Sequence, residues 1–310
     1  MSLKIDAAVC SNMGRVRKNN EDNFYFNGQY LDESGRNKGG VFKRICDDDT
    51  QIYAVCDGMG GEERGEDASI TAVRALEKYA KAERHVDGSQ QLTAMLQNIS
   101  DAIEANAQKD GIRSGTSIAM VTLHNNMLRT VHVGDSRVYS MENGKLTRMT
   151  ADHSEVQRLY AMGLIKAEEM DTHPKRHVIS QFLGMPRADG LVSPSISSRE
   201  PLKGGKRYMI CSDGLTDMVK DPEITQILSQ AKNAEEAAKQ LTIAALRNGG
   251  KDNVTTICLF VGNGKGAGEG IINKLKNDLK LNLKLSVAGM AISGGMVLFS
   301  LAMIIRDLLY

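Results

Sequence analysis

Twice this chain of 310 residues runs an apolar, strand-like segment straight into an aspartate: IYAVCDG at 52–58 and YMICSDG at 208–214. A third aspartate, Asp252, follows a glycine turn in GGKDN at 249–253, and a fourth acidic cluster, RKNNED, occupies 17–22. Aspartate is a poor strand residue, and a carboxylate at the end of a buried strand is costly unless it is paired or bound to metal. A neighbouring glycine lets the backbone approach a ligand closely. Any one Asp-Gly reads more simply as a β-turn. Four such clusters, with Arg17 shortly before Glu21 and Asp22, are harder to explain that way. Carboxylates converging on one point repel, divalent cations relieve the repulsion, and hard oxygen donors favour Mg2+ or Mn2+ over zinc.

The elements around these clusters read as α+β. Apolar or β-branched runs bounded by turn residues predict strands at 51–56, 117–123, 127–133, 137–141, 207–211 and 255–261. Asn125-Asn126 and Asn143-Gly144 tolerate positive φ and predict hairpin turns, so 117–147 is expected to form an antiparallel meander. Helical periodicity appears over 67–83, 90–108 and 234–247, the last with Asn233 as N-cap and Gly249 past its end. Strands grouped with strands, and helices between the groups, point to sheets faced by helices rather than to alternating βαβ units.

Charge and cysteine usage exclude other classes. The formal net charge of +1 leaves no basic excess for nucleic acid. Five scattered cysteines without a CxxC pair read as buried thiols rather than as a zinc site or a disulfide framework. The amino-terminal sequence MSLKIDAAVC has no apolar signal segment. His153 and His173, near carboxylates, are candidates for metal ligation or proton donation, with structural or surface roles as the plainer reading; His85, His124, His132 and His177 stand in ordinary surroundings.

A mean hydropathy of −0.30 conceals the C-terminal tail. Residues 285–305, LSVAGMAISGGMVLFSLAMII, carry no charge and as a helix would span about 31 Å, matching a bilayer core. Before them, 262–270 (GNGKGAGEG) reads as a flexible linker and 271–284 carries Lys274, Lys276, Lys280 and Lys284, while Arg306 alone follows the span as a cation. The expected organisation is a catalytic domain at 1–262, a glycine-rich then lysine-rich linker at 263–284, a transmembrane helix at 285–305 and a short extracytoplasmic tail at 306–310. The lysines place the large domain on the cytoplasmic side, anchored in the cell membrane and leaning on anionic lipid.

The clusters resemble, in order, the metal-dependent serine/threonine phosphatases of the protein phosphatase 2C (PPM) family, particularly its compact bacterial members. The pieces are GRVRKNNED (14–22), YAVCDGMGGEERGEDAS (53–69), SGTS (114–117), VHVGDSRVY (131–139), the stretch 146–170, HPKRHVISQFLG (173–184), MICSDGLTDMV (209–219) and GGKDNVTTI (249–257). The resemblance implies a four-layer α-β-β-α sandwich of two antiparallel sheets flanked by helices, with two Mn2+ or Mg2+ ions at one end and a weaker third. By position, Asp57 matches the carboxylate bridging both ions, Gly58 the residue offering a backbone carbonyl, and Asp213 and Asp252 the remaining ligands. Glu21 and Asp22 fall where the family places acids near the metal waters, Asp135 where it holds the third ion, and Arg17 where it grips phosphate. The implied reaction is hydrolysis of phosphoserine and phosphothreonine in proteins, opposing Ser/Thr kinases at the membrane.

Two departures stand out. Met59 occupies the place where many eukaryotic relatives carry histidine, and Ser180-Gln181-Phe182-Leu183-Gly184 stands where the family usually reads TRALG, next to a flap at about 154–180. Two other readings remain open at this point: a catalytically silent phosphatase-like binding module, and a two-metal hydrolase of another phosphate ester.

Overall fold

The computed structural model describes residues 3–60, 64–82, 88–109, 111 and 113–262. The chain divides into two units, Met1–Gly264 and Lys265–Tyr310, and all the described residues belong to the first. The linker, membrane span and tail expected at 263–310 lie outside the described residues. Among the described residues no helix is long and apolar enough to cross a membrane.

Thirteen strands form two antiparallel sheets among those residues. The first sheet has the order β3 (Gly40–Cys46), β1 (Ile5–Asn12), β13 (Val254–Val261), β12 (Arg207–Cys211), β8 (Arg137–Glu142), β9 (Lys145–Arg148). The second has the order β10 (Ser195–Ile196), β7 (Met127–Val133), β6 (Ile118–His124), β4 (Thr50–Gly60), β2 (Asp22–Phe26), with β11 (Glu200–Pro201) on β7 and β5 (Ser114–Thr116) on β4. Helices α1 (Gly65–Ala82) and α2 (Ser89–Lys109) come early, α3 (Glu155–Ala161) and α4 (Ala167–Met170) in the middle, and α5 (Asp213–Thr216), α6 (Asp221–Gln230) and α7 (Ala234–Arg247) late.

Three apolar layers hold these elements together. Between the sheets, Val9, Phe24, Tyr53, Val55, Val121, Ile210 and Ile257 interdigitate. Outside the second sheet, Ala54, Cys56 and Met120 meet Ala72, Leu76, Leu92, Leu96 and Ile99 of α1 and α2. Outside the first, Ala8, Met209 and Cys258 meet Leu228, Ala238, Leu241 and Ala245 of α6 and α7. This is the α-β-β-α arrangement expected, and successive residues of one strand face different layers. All five cysteines are buried and free.

The strand at 207–211 and the helix at 234–247 have the expected bounds, and Asn233 caps that helix by accepting from the Glu236 amide at 2.8 Å. Asn125, Asn126 and Asn143 take the positive φ that tight turns require. Two expectations need correcting. The run 117–147 is not one meander: β6 and β7 belong to the second sheet, β8 and β9 to the first, and the chain crosses between them at 134–136. Asp57 does not end its strand either, because β4 continues to Gly60 by pairing Gly58–Gly60 with β5. Both corrections matter, since they put Asp135 and Asp57 at the same end of the sandwich.

Leu241, fully buried between α7 and the first sheet, tests this layer. Leu241→Ala should cost about 2–5 kcal/mol, read from the urea midpoint; a shift within error would mean that α7 contributes little to the cooperative core.

Candidate metal centre

At one end of the sandwich lies a cavity of ≈880 Å3 lined by Arg17, Glu21, Asp57, Gly58, Asp135, Asp213 and Asp252. They arrive from different elements: the loop between β1 and β2, strand β4, the crossing between β7 and β8, the first residue of α5, and the turn before β13. Asp22 lies beneath them, fully buried, and stands directly opposite Asp57 in the register of β2 with β4. Like charges facing each other across a strand pair are destabilising.

Short-range contacts fix Asp57 and Asp22. The Asp57 carbonyl accepts from Thr116 Oγ1 at 2.8 Å and from the Ser117 amide at 2.9 Å. Ser212 Oγ donates to Asp22 Oδ2 at 2.8 Å and accepts from the Thr255 amide at 3.0 Å. Gly58 lets three backbones meet: a Cβ there would collide with the Gly65 carbonyl and stand 2.6 Å from that of Glu21. Asp152, nearly buried, pairs with Arg137 at 2.8 Å and with Arg148, holding the Arg137 side chain at the cavity wall two residues from Asp135.

The electrostatics follow from burial and convergence. Burial pushes Asp22 up to about 7; bonds from Ser212 and Thr255 oppose the rise, while Asp213 and Asp252 add to it. Burial pushes Asp213 to about 6, helped by Asp217 and Asp252. Asp57 is raised well above the usual carboxylate range by burial first, then by the charges of Asp22, Asp213 and Asp135. Asp135 is raised likewise by burial and by Asp213, and Glu21 by burial and Glu66. Arg17 Nη2 donates to Asp252 Oδ2 at 2.7 Å, bringing a guanidinium to the cavity wall.

These residues suit divalent cations. Asp22 Oδ1 is buried and has no hydrogen-bond partner among the described residues, a costly condition for an acceptor. The converging donors are mainly hard carboxylate oxygens, and no cysteine lines the cavity, which suits Mg2+ or Mn2+.

His153 and His173 take the plainer, structural or surface roles, and it is the ordinary setting expected for His177 that is revised. His153 stacks on His132 with ring centroids 4.6 Å apart, bonds Ser195 Oγ at 2.9 Å, and is pushed down to about 4 by burial. His173 accepts from the Lys175 amide at 3.1 Å. It is His177 that lines the cavity, where its ring and the carboxylates of Asp213 and Asp217 bring ligating atoms within 4.8 Å of one another. Its distance along the chain from those acids gave no signal. Asn253 stands in the GGKDN cluster with no role of its own assigned by the sequence. It accepts from the Glu21 amide at 2.7 Å and donates to the Met13 and Asn19 carbonyls at 2.8 and 2.9 Å, tying the Arg17 loop to the Asp252 turn.

The two-sheet sandwich with helices outside thus carries at one end a carboxylate cavity of the kind that holds divalent cations. Residues 42–247 match the family described as "Protein phosphatase 2C". The chain is 35% identical over 259 residues to "Serine/threonine protein phosphatase PstP" of Mycobacterium tuberculosis, an alignment covering 83% of this chain and 45% of that relative. It is 30% identical over 250 residues to "Serine/threonine phosphatase stp" of Listeria monocytogenes, covering 79% and 91% respectively. The solved catalytic domain of PstP "in complex with 2 Manganese ions" superposes with a TM-score of 0.68 at 32% identity, covering 84% of this chain and all of that one. This chain belongs to the protein phosphatase 2C family. It spans about half the length of the mycobacterial relative.

The raised acids make metal-free stability fall with pH. In the folded state Asp22 and Asp213 keep protons to about 7 and about 6, whereas in an unfolded chain aspartate loses them near about 4. The folded state therefore binds more protons across that window, and unfolding free energy declines as pH rises through it. In EDTA, calorimetry should show Tm dropping from about pH 4 to about pH 7, and dropping less in Asp22→Asn. Equal slopes in the two proteins would contradict the assignment to Asp22.

Proposed function

We propose that the chain is a Mn2+- or Mg2+-dependent hydrolase of phosphoserine and phosphothreonine in proteins. The observation that carries this is the convergence of Asp57, Asp135, Asp213 and Asp252 with Arg17 in one cavity, in a chain similar to a catalytic domain solved with two manganese ions. Asp57, the Gly58 carbonyl, Asp213 and Asp252 are the groups that would hold two such ions. Asp135 would hold a third, more weakly bound ion. When bound, such cations neutralise phosphate charge and lower the pKa of water near the phosphorus.

The chain's own residues do the rest. Arg17 can take two phosphate oxygens in a fork, which orients the group and stabilises charge built up in the transition state. Its bond to Asp252 holds that guanidinium beside a metal-ligand carboxylate. Glu21 at the cavity wall and Asp22 beneath it would stand next to the ions and their water, and the raised proton affinity of both suits groups whose charge the cations offset. Thr116 and Ser117, by fixing the Asp57 carbonyl, keep the bridging residue from following its repulsion from Asp22.

Hydrolysis of a phosphothreonine peptide tests the reading. Phosphate release should require Mn2+ or Mg2+, stop in EDTA, and vanish in Asp57→Asn. Arg17→Ala should lower kcat/KM by about a hundredfold. No release with metal demonstrably bound would favour a silent binding module, and release from a diester but not from the peptide would favour another phosphate ester.

The same proposal extends to location. Residues 285–305 as a membrane span, preceded by four lysines, would hold the domain at the cytoplasmic face against anionic lipid. Tethering raises its effective concentration near membrane phosphoproteins, a membrane Ser/Thr kinase and its targets among them. Deleting 263–310 should release the protein from vesicles and leave activity on a soluble peptide intact; lost activity would mean that the tail does more than tether.

A further inference from the structure

Strand β4 leaves the metal cavity and runs into a second one. Met59 and Gly60 line both. The second cavity, ≈640 Å3, lies between the C-terminal end of α2, strand β5 and the segment 182–189. Ala107, Phe182 and Pro186 contribute apolar surface, and Arg113 stands exposed beside them.

The Phe182 ring defines this groove. It lies across Gly115, where a Cβ would collide with the ring and stand 2.8 Å from Cε2. The segment that carries Phe182 is held firmly. Leu183 and Thr116 exchange backbone bonds at 2.9 Å, the Gly184 amide donates to Ser100 Oγ at 2.9 Å, and Arg187 pairs with Asp101 at 2.6 Å. The groove is thus preformed, which lowers the ordering cost of binding.

An extended chain advances about 3.3 Å per residue, so about 10 Å separates Asp57 from Gly60 along β4. A peptide whose phosphate enters the metal cavity covers that distance in about three residues. We propose that the groove seats an apolar side chain of the phosphoprotein substrate, two to four residues from the phosphorylated serine or threonine, and that Phe182 determines this specificity. The inference rests on the phosphatase reading. Its occupant follows from adjacency: Met59 and Gly60 border both cavities, so the chain flanking a phosphate in the reaction cavity passes beside the groove, whereas a small phosphate ester has no chain to lay there.

The test uses the full chain with Mn2+ and phosphothreonine peptides in which one leucine moves through an otherwise polar sequence. Each kcat/KM is divided by that for p-nitrophenyl phosphate, which has no flanking chain. Leucine at one position, two to four residues from the phosphothreonine, should lower KM by about tenfold with little change in kcat. Phe182→Ala should erase that preference, and Gln108→Trp, which fills the groove from the exposed face of α2, should erase it too. A flat series in the unsubstituted protein, or a preference surviving in both variants, would overturn the proposal. Failure to hydrolyse even p-nitrophenyl phosphate would instead sink the phosphatase reading, and this inference with it.

Discussion

Asp22 and Asp57 face each other across paired strands, and burial raises both before any neighbour is counted. Asp213 and Asp252 then add their charges. That repulsion is the constraint the rest of the structure answers to. A protein core excludes isolated carboxylates because the charged form loses its hydration, yet this fold delivers several to one end of a sandwich. The strain is tolerable because divalent cations can take up the charge, and because every strand and loop that supplies an acid is fixed elsewhere.

The fixing is done by neutral polar groups and by packing. Ser212, Thr255 and Ser11 form a buried chain of hydroxyl and amide contacts under the centre. Asn253 holds two loops that are distant in sequence, one bearing Arg17 and Glu21, the other Asp252. Three apolar layers anchor the strands behind them. The two central strands of the site, β4 and β13, each present side chains to two layers. Displacing either would disturb the inter-sheet core and a helix-facing core together, so the acids cannot relax apart cheaply. The same rigidity preforms the groove at Phe182, since its segment is bonded to both β5 and α2.

Much of this was legible in the chain. Strand β12, helix α7 with its Asn233 cap, and the asparagine turns carry local signals, namely β-branched runs, a 3.6-residue period and residues that tolerate positive φ. Strands β1 and β2 escaped because burial on both faces removes the alternation that marks a half-exposed strand. The supposed meander over 117–147 failed for a related reason. Hairpin signals report which strands are joined, not which sheet each pair enters. The acids Asp57, Asp213 and Asp252 were found from their setting after apolar runs and glycines, whereas Asn253 and His177 had no local mark of their role.

The sequence by itself determined the element types, the layering of helices on sheets and the presence of carboxylates that require a counter-charge, because these follow from residue chemistry and from periods of two and 3.6 residues. The uncharged run at 285–305 belongs to the same class of information. Only the tertiary structure decided that Asp22 opposes Asp57, that His177 comes close to Asp213, and that Met59 and Gly60 border both the metal cavity and an apolar groove. Those relations depend on strand register and on how far each loop reaches, and both are set by contacts between residues far apart in the chain.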